Sequence, residues 1–272
     1  MKIHQIDLHC HAGKSLKETL SFAHSTWRRI VGITEVVYNE KTETFENGSQ
    51  NALSLEDFLQ LRAEVDQLKS EFPDMQLFLA PEISAAFDYT ALDDQWIAAS
   101  DYFFCLPEED KITTECMLSQ PERAHAISRH TGKSTFLAYP FRSLWISRIQ
   151  AGHRAPEKYA GPKGLTDEAV ISALGFDLHA FAHMAVSLGV AVEINGETYS
   201  RIRSYNHPYY YDVLQRAYEI LHRRGVSLVP GSGLRGFRPG KSGFAVPEET
   251  FEILGISGSD IRFLDQIGAK RI

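Results

Sequence analysis

Cysteine is scarce. The 272 residues hold three, Cys10, Cys105 and Cys116, too few for a disulfide framework and spaced like no zinc finger. Free thiols in a reducing compartment are the expectation. Long hydrophobic runs are missing as well: no stretch approaches the roughly 18 apolar residues of a membrane span. The opening MKIHQIDLHCH lacks the apolar centre of a secretory signal. A cytoplasmic protein with no membrane partner is expected. Positive charge is in deficit, with 28 Lys and Arg against 35 Asp and Glu and a net charge of -7. That balance argues against a general affinity for nucleic acid. No phosphate loop is present, because the glycine-rich run 231–243 lacks the G-x-x-x-x-G-K-[ST] spacing. No Ser-His-Asp or Cys-His triad is indicated either.

What is there is a chain of ordinary globular composition, 43% hydrophobic and 23% charged. Short β-branched or aromatic runs alternate with helical patterns. Strands are expected at 3–7, 29–34, 76–83, 102–106, 135–139, 190–195 and 226–231. Helices are expected at 16–27, 55–72, 121–131, 166–188 (in one or two pieces) and 208–224, with short ones near 247–254 and 259–267. Loops fall at 38–51 and 150–164. Such alternation implies parallel strands joined by crossovers. With no linker and no internal repeat, one domain over 1–272 is expected, a distorted, TIM-like (β/α)7 barrel.

Barrels of this kind gather ligands at the carboxyl ends of their strands. The polar residues there are His9 and His11, Glu35, Glu82, Glu108 and Glu109, Tyr139 and Arg142, Asn195 and Glu197, and Ser232 and Arg235. Histidines, carboxylates and arginines are what a metal or phosphate site requires. His9-Cys10-His11 is the sharpest signal. In an extended segment residues i and i+2 point to one side, so the two imidazoles can share an ion, while Cys10 faces away. Two ordinary histidines after a strand are the plainer alternative.

Other features have plainer explanations. His179 and His183 form an H-x-x-x-H pair, but without the glutamate of H-E-x-x-H and on a helix expected outside the barrel. Tyr209, Tyr210 and Tyr211 suit aromatic packing better than a substrate wall. Glu193, inside a strand, can steady a ligand histidine. Asn195 can orient a ligand or cap a turn with Gly196.

The stretch IDLHCHAG resembles the first motif of the polymerase-and-histidinol-phosphatase (PHP) superfamily. VGITEV, LAPEIS, DYFFCLPE, LAYPFRS, VAVEIN and VSLVPGSGLRG resemble its later motifs in order, so the resemblance spans roughly residues 3–240. It implies a seven-stranded barrel, two or three metal ions and phosphoester hydrolysis. His9, His11 and Glu82 keep the superfamily's ligand types. Elsewhere the pattern departs. Glu35-Val36 stands for aspartate-histidine, Glu108 lies near an expected histidine, and Tyr139 replaces the histidine before Pro140. Gly233 replaces an aspartate and Arg235 a histidine.

A full trinuclear site is therefore not expected. His9, His11 and Glu82 can hold one divalent ion (zinc, manganese or iron), with Glu108 or Glu35 adding an oxygen. A phosphoesterase using metal-activated water is the leading expectation, with Arg142 or Arg235 binding the anionic group of a small phosphate-containing substrate. Two alternatives stand beside it. One is an inactive barrel without metal, in which the arginines bind a small anion or the chain binds a protein. The other is an amidohydrolase-type C–N or C–O hydrolase, whose first motif is also H-x-H.

Overall fold

The computed structural model describes residues 1–38, 52–107, 113–142, 149, 152, 154–157, 159, 161–235 and 248–270. The first strand, β1 (Ile6–His11), begins after a 3-10 turn at Ile3–Gln5, so it lies later than the expected 3–7 and carries both histidines within it. All six of its residues are buried. A strand buried on both faces should read as a hydrophobic run. This one holds polar residues because one of its faces lines the barrel interior.

The remaining strands are β2 (Ile30–Val36), β3 (Gln76–Ile83), β4 (Phe103–Cys105), β5 (Thr135–Leu137), β6 (Ala191–Asn195), β7 (Leu228–Gly231) and β8 (Leu234–Arg235). Every pairing is parallel, in the order β7-β6-β5-β4-β3-β2-β1-β8. β8 continues β7 after the two residues Ser232 and Gly233 and pairs with β1, Cys10 opposite Leu234 and His11 opposite Arg235. The last strand thus steps sideways onto the first and closes a distorted seven-stranded barrel. Ser232 and Gly233 stitch the seam. Gly233 N–H donates to the His9 carbonyl at 2.9 Å, and Ser232 N–H donates to Asp7 Oδ1 at 2.9 Å. Between Asp7 and Cys10 the register of β1 against β2 slips, an irregularity of the kind that re-aims side chains near active sites.

Helices surround the barrel: α1 (Leu16–Ser25), α2 (Leu55–Leu68), α3 (Asp94–Ala99), α4 (Thr114–Thr131), α5 (Asp167–Leu174), α6 (Leu178–Ser187), α7 (Gly196–Ser204), α8 (Pro208–Arg223), α9 (Glu248–Ile253) and α10 (Phe263–Gln266). The expected helix over 166–188 is two, divided after Gly175 at φ 82°. Helix α4 starts seven residues before Pro121, the expected first residue. Proline is favoured at a helix start, but here the Thr113 hydroxyl caps the end by accepting from Cys116 N–H at 3.1 Å. Helices α3 and α7 have no counterpart in the sequence reading. The loop assignment at 38–51 falls almost wholly outside the described residues, whereas the described part of 150–164 is irregular except for a 3-10 turn at Pro162–Gly164. No single helix among those described is long and apolar enough to cross a membrane.

Candidate metal centre

The three residues singled out from sequence, His9, His11 and Glu82, come together inside the barrel. One ligand atom of each lies within 4.8 Å of the others, and all three side chains are buried. Among the described residues no other set of three histidine, cysteine or acidic side chains converges in this way. Glu82, near the end of β3, faces β1. Its Oε1 lies 3.3 Å from His9 Nε2 and 3.5 Å from His11 Nε2. The Thr34 hydroxyl on β2 fixes that oxygen by donating to it at 2.7 Å.

Both imidazoles are held the same way from behind. His9 Nδ1 lies 2.7 Å from Glu193 Oε1, and His11 Nδ1 lies 3.3 Å from Glu35 Oε2. A carboxylate on Nδ1 keeps the proton there and turns Nε2 forward, the usual second layer of a metal-bound histidine. Glu193, in β6, thus stands where the sequence reading placed it. Glu35, weighed from sequence beside Glu108 as a further oxygen donor, stands behind His11 instead of beside Glu82. It turns to His11 Nδ1 and to the backbone, where Ala12 N–H donates to its Oε1 at 2.7 Å.

Tyr139, Asn195 and Glu197, counted from sequence among the polar strand-end residues, complete the cradle together with Asp7 and Phe104, which the sequence reading did not single out. The Tyr139 hydroxyl lies 3.1 Å from His9 Nε2 and donates to Glu197 Oε2 at 3.2 Å. Asn195 serves two ends at once. Its Oδ1 caps α7 by accepting from Thr198 N–H at 2.9 Å, and its Nδ2 donates to Glu193 Oε1 at 2.9 Å. Asp7 accepts the backbone N–H of His9 as well as that of Ser232. The rings of Phe104 and Tyr139 wall His9 edge-on, with centroids 4.4 and 4.7 Å from it.

Charge is balanced within this small volume. Burial alone would strip the proton from His9, but the Glu193 and Glu82 carboxylates outweigh it and hold the imidazole pKa up at about 10. Burial would likewise raise Glu82, yet His11 and His9, with the Thr34 hydroxyl, bring it down to about 2. Burial pushes Asp7 above the ordinary carboxyl value and Cys10 well above the ordinary thiol value. Cys10 is buried and inert, as its opposite-facing position in β1 requires.

Of the residues expected to act on substrate, Arg142 is half-buried beside the site, its guanidinium carbon 5.3 Å from the Tyr139 ring centroid. Glu108 lies outside the described residues. Arg235 is placed by its backbone in β8, opposite His11, and its side chain lies outside what is described. The rest of the glycine-rich run, from 236 on, lies outside as well. His179 and His183 sit on α6 in the outer layer, with His183 exposed, and join no metal-like group. Tyr209 and Tyr210 are buried in an aromatic cluster with Tyr159 and His207, so packing is their role.

No family model matches the chain, and no curated protein matches it significantly. Two solved structures are similar over most of its length. One is a probable 2-pyrone-4,6-dicarboxylic acid hydrolase from Acinetobacter baumannii with citric acid bound. It has 11% identity and a TM-score of 0.41, over 97% of this chain and 98% of that one. The other is an N-isopropylammelide isopropylaminohydrolase from Burkholderia multivorans, at 11% identity and a TM-score of 0.36, over 90% of this chain and 55% of that one. Likenesses this slight do not bear on the chemistry of the site.

Proposed function

We propose that this chain is a metal-dependent hydrolase, a divergent relative of the polymerase-and-histidinol-phosphatase superfamily that cleaves a small phosphoester. The observation that carries the reading is the convergence of His9, His11 and Glu82 on one buried point, each imidazole held at Nδ1 by its own carboxylate. The donors fit an ion. His11 Nε2 is buried and has no hydrogen-bond partner, a costly state for a polar atom that a ligand relieves. Two imidazole nitrogens and a carboxylate oxygen suit zinc, iron or manganese and leave positions open.

Such an ion supplies Lewis acidity and an activated water. The protein's own part is orientation. Glu193 and Glu35 keep the two Nε2 lone pairs facing Glu82, Thr34 holds Glu82 in place, and the aromatic walls of Phe104 and Tyr139 exclude bulk water from His9. Arg142, beside Tyr139, is the group that takes the substrate's anionic oxygens.

A second reading draws on the Tyr139 hydroxyl at His9 Nε2 and the proton retained on His9. A site neutralised by that proton needs no ion, which suits a barrel that binds an anion or a protein without catalysis.

Elemental analysis of protein purified without chelator, beside the His9→Ala/His11→Ala double variant, separates the two. Stoichiometric metal lost in the variant, with hydrolysis of phosphoesters after loading with manganese, iron or zinc, is the expected result. Metal with activity only on amide or lactone substrates would replace the phosphoester by a C–N or C–O bond. No metal under any loading would overturn the hydrolase.

A further inference from the structure

From sequence, Tyr139 reads as a lost ligand, a tyrosine where the resemblance expects a histidine. Its surroundings are built to place one atom, the phenol oxygen. That oxygen lies 3.1 Å from His9 Nε2, the nitrogen that also faces Glu82. The backbone at Tyr139 is left-handed, φ 45°, a conformation a bulky side chain adopts only when its surroundings compel it. Glu193 supplies the compulsion. Its Oε2 accepts Tyr139 N–H at 3.0 Å while its Oε1 holds His9 Nδ1 at 2.7 Å, so one carboxylate orients both residues.

Space for the hydroxyl is made by Gly233, at φ 67°. A Cβ there would stand 3.2 Å from the phenol oxygen and 3.0 Å from Glu197 Cβ. Glu197 accepts the phenol proton's hydrogen bond and is itself paired with Arg201 at 3.1 Å. A tyrosine kept only for packing would need none of this, since phenylalanine fills the same volume.

We infer that Tyr139 is a fourth metal ligand, giving a phenolate oxygen beside His9, His11 and Glu82 and making the site receptive to iron. The inference rests on the metal site proposed above. On binding, the O–H bond of Tyr139 breaks and an oxygen–metal bond forms, while His9 gives up to solvent the proton that its carboxylate neighbours hold on it in the metal-free protein. The phenol proton passes to Glu197, the hydroxyl's acceptor, and from there to solvent beside Arg201, whose side chain is 48% exposed. The ion keeps its oxidation state throughout. Phenolate is a hard, anionic donor of the kind iron accepts from tyrosine elsewhere, so a two-histidine, carboxylate and phenolate set differs in chemistry from an all-histidine one.

The test loads metal-free protein with ferric iron, counts the iron by elemental analysis and records the visible spectrum. Equimolar iron with a phenolate-to-iron charge-transfer band is expected, the band being absent from Tyr139→Phe at equal iron content. Resonance Raman excited within the band reads phenolate ring modes in the unmodified protein, so the answer does not depend on how well the variant folds or loads. Iron without the band or the ring modes, or a band that survives in Tyr139→Phe, overturns the inference and leaves the metal site standing. Failure of the unmodified protein to take up iron overturns the phenolate ligand, and failure with manganese and zinc as well overturns the metal site itself.

Discussion

His9 and His11 stand two residues apart on one strand, and the barrel walls on their two sides treat them differently. His9 leans toward β5 and β6, where Glu193, Tyr139 and Asn195 crowd it. Neither His9 nor Glu193 has any solvent exposure. His11 leans toward β2, where Glu35 is 18% exposed and 3.3 Å away, and its own Nε2 has no hydrogen-bond partner. The first wall is therefore closed: its charges are satisfied within the protein and tie β1 to β6 across the barrel interior. The second is open, with one donor atom free for an incoming group. A single strand serves both because its register slips between Asp7 and Cys10, and because alternate residues of a strand share a face.

The sharpest way to break that comparison is Glu193→Ala. It takes away the acceptor for His9 Nδ1, Tyr139 N–H and Asn195 Nδ2 together. Removing one partner of a buried pair costs about 3–5 kcal/mol, since the other is left uncompensated. Denaturant unfolding of metal-free protein should show a loss of that size. A loss under about 1 kcal/mol, the ordinary net worth of a single hydrogen bond, would mean that the closed wall carries no more strain than the open one.

Titration removes only a proton and leaves these hydrogen bonds in place. The His9 pKa is raised from 6.5 to about 10 in the folded protein. Its contribution to stability is then fully present below about pH 6.5 and is lost as the pH climbs through about 10. Glu82 runs the other way: lowered from 4.5 to about 2, it contributes above about pH 4.5 and loses that contribution as the pH falls through about 2. Metal-free protein should unfold at lower denaturant at pH 10 than at pH 6, and His9→Ala should flatten the alkaline limb. An alkaline limb unchanged in His9→Ala would place the titrating group elsewhere.

The same two walls show what the sequence could and could not convey. Strand alternation was enough to anticipate the barrel and to place His9, His11 and Glu82 at strand ends, because period-two patterning is a local property, and the resemblance to the superfamily is what joined Glu82 to the H-x-H pair. Glu193 was legible from the same patterning, as an acid inside a buried strand. The end of β1 was misjudged because its histidines look unlike a buried strand, and they are buried only because the site is there. Helix α7 was hidden because Asn195 ends one element and caps the next. Glu35 and Tyr139 were weighed by residue type against an expected ligand. Only the fold shows that Glu35 reaches His11 from behind and that the Tyr139 hydroxyl reaches His9 from the front. Distances across 24 and 130 residues of chain decide both roles, and no local pattern encodes them.

The open wall supplies the finest probe. Glu35→Gln keeps the shape of the side chain and weakens its grip on His11 Nδ1, where the imidazole is less buried than His9. Because water can still reach the carboxylate, the change in stability should stay within about 1 kcal/mol, the net worth of one hydrogen bond. Metal affinity is a different matter, because the orientation of the His11 lone pair depends on that contact. Loss of such a supporting carboxylate typically weakens binding about 10–100-fold. Competition against a chromophoric chelator measures the affinity, and unfolding of the metal-free variant measures the stability. A drop in affinity at nearly constant stability is expected. A stability loss as large as that of Glu193→Ala would erase the distinction between the walls, and an unchanged affinity would mean that His11 needs no help to face Glu82.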